Sequence, residues 1–106
     1  DTFMPVINGY AFRTAGLVDL ELGHTTAGRD ELRGAIEAFE RGAGSVGGGQ
    51  AALCWIDLSQ SHLSGGDAAT ARSAAEAAEA LARTTGDPWV REQAVAQVRA
   101  VAAATS

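Results

Sequence analysis

Cys54 and His62 are the first residues to weigh for chemistry, since a thiol beside an imidazole is a nucleophile–base pair. On one helix, eight residues apart, they sit about 12 Å from each other along the axis, too far for a direct hydrogen bond. Cys54 reads instead as a small buried hydrophobe. His24 and His62 are the two histidines, and no further Cys or His lies near either to complete the four ligands of a zinc site. His62 is expected to stand for an aromatic between two helices, and His24 to face solvent or a groove. "HTTAGRDE" holds no HExxH arrangement. "GAGSVGGGQ" has the glycines of a phosphate loop but no Lys-Ser/Thr after it and no strand before it, so a linker is expected. Glu21 and Asp57 are carboxylates on helices, more often solvated surface than ligand contacts. No catalytic constellation, metal site or cofactor is therefore expected, and the chain is not expected to be an enzyme.

The chain must position few such groups. Its 106 residues suit a single domain spanning 1–106. The net charge of −5, with both signs scattered, offers no basic face for nucleic acid or an anionic membrane. No stretch is long and apolar enough for a transmembrane helix, and no signal segment opens the chain. The first residue is Asp1, which points to a piece of a larger protein. A lone cysteine fits the reducing cytoplasm.

Helical periodicity runs throughout, with no useful alternating stretch, so the expectation is all-α. A first helix over about 7–24 carries Ala11, Ala15, Val18 and Leu22 at three-to-four spacing, and "TTAGRD" is expected to interrupt it. The second helix, "ELRGAIEAFERGA", places Leu32, Ala35, Ile36 and Phe39 on one face. A glycine-rich linker over 42–49 leads to a third helix with Ala51, Trp55, Leu58 and His62 on one stripe. Asp67 is a natural N-cap for the alanine-rich fourth helix, "AATARSAAEAAEALA". Asp87-Pro88 opens a fifth, striped by Val90, Ala94, Val98 and Val101. Ala71, Ala75 and Ala78 form a strip of methyl groups that lets a neighbouring helix approach closely while Trp55, Leu58 and Leu63 supply bulk. Trp55, Leu58, Phe39 and Leu81 are expected to be buried.

Leu22 and Leu58 are 36 residues apart, as are Gly23 and Ser59 and also Ala35 and Ala71. Helical hairpins recurring every 30–40 residues or so are the mark of an α-solenoid. Trp55-x2-Leu58-Ser59-x2-His62 with Ala71 and Ala78, and Leu22-Gly23 with Ala35-x3-Phe39, resemble the tetratricopeptide repeat. Departures are Ser59 for the small Gly, His62 for Tyr, Ala75 for Phe, and Asp19 and Thr26 where the first repeat should have Trp and Tyr. The resemblance implies an α-solenoid of about two repeats plus a C-terminal helix. Repeat one covers about 7–43, the linker 42–49, repeat two about 50–84, and a capping or third-repeat helix 87–104. "ALARTTGDPWVREQ" is similar to the C-terminal tetratricopeptide region of actinobacterial helix-turn-helix regulators of the LuxR type. That likeness implies a cytoplasmic sensory or dimerisation array, with DNA bound by a separate domain absent from this chain.

Two function classes remain open. In the first, the first helices of the repeats line a groove for a protein or peptide, walled by Leu17, Leu20, Glu21, His24, Ile56, Asp57, Gln60 and Leu63. In the second, the domain is architectural, and its apolar surplus is covered by self-association into a homo-oligomer or by neighbouring repeats.

Overall fold

A computed structural model describes residues 3–42 and 44–105, the side chains of 3 and 44–46 excepted. It contains five helices: α1 (Phe3–Glu21), α2 (Thr25–Arg41), α3 (Gly44–Ser64), α4 (Ala68–Thr85) and α5 (Pro88–Thr105). There is no strand among the described residues. Each helix packs on the next in the chain, and α3 also touches α5 and, more lightly, α1. Cross-helix contacts set the directions. Gly9 faces Phe39 and Gly16 faces Gly28, so α1 and α2 are antiparallel. Ser59 bonds to the Ala71 carbonyl near one end of the second hairpin, and Gly48 faces Thr85 at the other. Gly49 faces Val90 and Ser59 meets Gln97, so α3 and α5 run parallel. The result is a slab of 44 × 31 × 17 Å with α1, α3 and α5 in one layer and α2 and α4 in the other.

The turns are built alike. After α1, Gly23 adopts φ +83°, its N–H donates to the Leu20 carbonyl, and His24 N–H donates to Asp19. After α3, Gly66 adopts φ +84°, its N–H donates to Leu63, and Asp67 N–H donates to His62. Both are Schellman closures, in which the left-handed residue must be glycine or pay the Cβ penalty. Every equivalent position is 43 residues apart, not 36. Leu22 and Leu58 are accordingly not equivalent: Leu22 is 65% exposed beyond the end of α1, whereas Leu58 lies in the core.

The core stripes of α2, α3 and α5 lie where periodicity puts them, with Phe39 and Leu58 buried and Trp55 and Leu81 half-buried. Gln97 joins the α5 stripe, donating to the Ser59 hydroxyl, which itself donates to the Ala71 carbonyl (3.0 and 2.7 Å). The alanine strip is buried throughout, from Ala71 to Ala82. Asp67 caps α4, accepting from Thr70 N–H at 3.1 Å.

Three expectations are corrected. "TTAGRD" is the start of α2, because Gly28 lets it lie directly against α1: a Cβ there would sit 2.7 Å from Leu20 Cγ. The glycines from Gly44 onward are the start of α3, residue 43 lying outside the described residues. Gly47 abuts the Phe39 carbonyl and leaves no room for a side chain, so packing overrides a poor helix propensity of about 1 kcal/mol per glycine. Lastly, Ala11, Ala15, Val18 and Leu22 face outwards. The side of α1 that packs is the one with Gly9 and Gly16, since only a bare backbone can approach Phe39 and Gly28 so closely.

Candidate functional site

Because α1 and α3 touch only lightly, a cleft of about 370 Å³ opens between their C-terminal halves. Leu17 and Leu20 form its apolar wall, Asp57, Gln60, Ser61 and Ser64 its polar wall, and Thr25 and Arg29 of α2 lie at one end. Two cations bind the walls together. Arg13 Nε lies 2.8 Å from Asp57 Oδ2 and joins α1 to α3. Arg29 donates to the Ser61 hydroxyl at 2.9 Å and to the Ser61 carbonyl at 3.0 Å, joining α2 to the last turn of α3.

Asp57 is no solvated surface carboxylate, its side chain being 12% exposed. Burial pushes its pKa up, and the Arg13 guanidinium counters this only in part. The same burial, with Asp57 close by, pushes the Cys54 thiol up to about 12. A thiol that keeps its proton is a poor nucleophile. His62 is also buried, and its Nδ1 finds no hydrogen-bond partner among the described residues; Asp67 Oδ2 is 4.0 Å away. Desolvation, then repulsion from Arg29 and Arg33, pulls His62 below its ordinary pKa.

Of the eight residues expected to wall a groove, the structure brings Leu17, Leu20, Asp57 and Gln60 together in this cleft. Ile56 and Leu63 do not belong to it. Ile56 is buried among Ala78, Ala82 and Val90, and Leu63 packs on Ala71, Ala75 and Val101, because α3 turns that side towards α4 and α5. Glu21 is exposed at the end of α1. His24 is exposed beside the turn, its Nδ1 3.1 Å from Asp19 Oδ1. Asp19 also meets the Glu31 carboxyl; His24 first and this contact second hold Asp19 down, while Glu31 is pushed up.

Sequence reasoning missed Arg13, Thr25, Arg29, Ser61 and Ser64. Arg13 and Arg29 carried a signal, Arg13 standing four residues before Leu17 and Arg29 three before Leu32, each one turn from an apolar position, but their partners lie 44 and 32 residues away. No group of three or more His, Cys, Asp or Glu that could hold a metal occurs among the described residues. No family model, curated protein or solved structure matches the chain.

Proposed function

We propose that the chain is a protein- or peptide-interaction module that catalyses nothing and takes an extended segment of its partner into the α1–α3 cleft. The supporting observation is the cleft itself, lined by two leucines facing hydroxyl, amide and carboxylate groups across about 370 Å³. Apolar walls with a few convergent polar groups suit a short peptide, whose side chains meet Leu17 and Leu20 while its backbone bonds to Gln60 and Ser64. In the tetratricopeptide reading, α1 and α3 are the first helices of two hairpins of an α-solenoid. The 43-residue period is longer than the 34 or so of that repeat and nearer the 40–47 of other two-helix solenoids. In a cytoplasmic bacterial regulator of the type the sequence resembles, such a module would report a peptide or protein signal to a separate DNA-binding domain.

The test is selection of peptides from a displayed random library on the 106-residue chain, followed by NMR mapping of a selected peptide. Shifts should gather at Leu17, Leu20, Gln60 and Ser64, and Leu17→Glu with Gln60→Glu should lower affinity at least tenfold. Shifts confined to α5, or unaltered affinity in that variant, would overturn the reading.

A further inference from the structure

Among the described residues, no element covers the outer side of α1. Met4, Ile7, Ala11, Ala15, Val18 and Leu22 are all exposed, four of them large: Met4 52%, Ile7 56%, Val18 52% and Leu22 65%. At 100° per residue they fall on one stripe opposite Gly9 and Gly16. We propose that this stripe is a self-association surface, on which two copies of the chain pair their α1 helices antiparallel. The inference is independent of the cleft, which opens on another side of α1.

Three observations favour a second copy as the occupant. The stripe is symmetric in size about its middle. With a two-fold axis between Ala11 and Ala15, Met4 lies opposite Leu22 of the other copy, Ala11 opposite Ala15, and Ile7 within one residue of opposite Val18. Helices that cross at an angle are closest at the crossing and diverge towards their ends. Small residues at the centre and large ones at both ends therefore fill the gap, and an isologous contact requires this self-complementarity.

Charge points the same way. All eight cations are arginine, and the net charge is −5. A contact through α2 or α4 would have to strip water from charges of both signs, Asp30, Arg33, Glu37, Glu40 and Arg41 on the first or Arg72, Glu76 and Arg83 on the second. The α1 stripe holds no charge. Arg13 is engaged with Asp57 and Asp19 with His24, and Glu21 lies at the helix end.

Area suffices as well. The 19 residues of α1 extend about 28 Å. Pairing two such stripes covers on the order of 1,000 Å² in total, the size at which specific interfaces begin.

Sedimentation equilibrium of the chain over a wide concentration range tests this. The expected species has twice the 10.8 kDa mass of one chain. Ile7→Glu with Val18→Glu should abolish it while the circular dichroism stays helical; should that pair unfold, Ile7→Gln with Val18→Gln gives the same readout. Leu17→Glu, which disables the cleft, should leave the dimer intact. For the antiparallel direction, a mixture of Met4→Cys and Leu22→Cys chains should oxidise to a cross-linked heterodimer, Cys54 being buried and out of reach. A monomer at every concentration, a dimer that survives both double substitutions, or Met4→Cys chains cross-linking chiefly to themselves would each overturn the proposal.

Discussion

The two hairpins close with the same turn and solve the same packing problem with opposite residues. In the first, the small side is α1, through Gly9 and Gly16, and α2 brings Leu32 and Phe39 to it. In the second, the small side is α4, through Ala71, Ala75, Ala78 and Ala82, and the bulk comes from α3. Positions 43 apart show the exchange directly: Phe39 corresponds to Ala82, Leu32 to Ala75, and Gly16 to Ser59. The ionisable pairs at the turns are exchanged too. Asp19 precedes and His24 follows the first turn, whereas His62 precedes and Asp67 follows the second. What two equivalent helices share is the volume between them, and either helix can fill it.

The largest effect expected from breaking this division of labour is at Phe39. Phe39→Ala removes the ring that covers Gly9 and stacks edge-on at 5.1 Å with Tyr10. It should cost about 3–5 kcal/mol in urea unfolding. A loss below about 1 kcal/mol would mean that α2 does not supply the bulk.

Adding volume to the small sides comes next. Ala71→Leu should cost about 1–3 kcal/mol, whereas Ala77, half-buried at the rim of α4, should accept Leu within about half a kcal/mol. Gly16→Ala belongs with Ala71→Leu, since its Cβ would lie 2.9 Å from the Gly28 carbonyl oxygen. Equal tolerance of Ala71→Leu and Ala77→Leu would show that α4 is not closely packed.

The turn comparison is sharpened by Gly23→Ala and Gly66→Ala. Neither Cβ would meet anything within 4 Å, so only the left-handed backbone penalty remains, about 1 kcal/mol at each position. Clearly unequal costs would show that the turns are not equivalent.

The smallest effect is the pH dependence that His62 brings to the second hairpin. His62 titrates below 6.5 when folded, so below that pH the unfolded chain binds a proton that the folded chain refuses. Its contribution to stability is therefore complete above 6.5 and falls as the pH drops from there through the lowered pKa of the folded state. His62→Phe should flatten that part of the stability profile, as read by thermal unfolding at several pH values. An unchanged slope would show that His62 is protonated within the fold.

Within the candidate site, Leu17, Leu20, Asp57 and Gln60 were legible because helical spacing and hairpin order place them on neighbouring helices of one layer. Ile56 and Leu63 were misplaced because α3 is apolar on several sides, and periodicity alone does not say which side meets α4 and α5. The Arg13–Asp57 and Arg29–Ser61 contacts were illegible for another reason. They join residues far apart in the chain, and long side chains on different helices meet only once the crossing is set.

By itself, the sequence determined five helices, the Asp67 cap, and the buried stripes of α2, α3 and α5. Each depends on residues within a few positions of one another, where propensity, capping and periodicity act. Tertiary structure decided that Gly44 to Gly49 are helical, that the period is 43, and that α1 turns Gly9 and Gly16 inwards and Met4, Ile7 and Val18 out. Glycine carries no hydrophobic signal, so its value at a helix contact comes from the neighbour it admits. Here that neighbour is Phe39, which fills against Gly9 the space that a side chain on α1 would have taken.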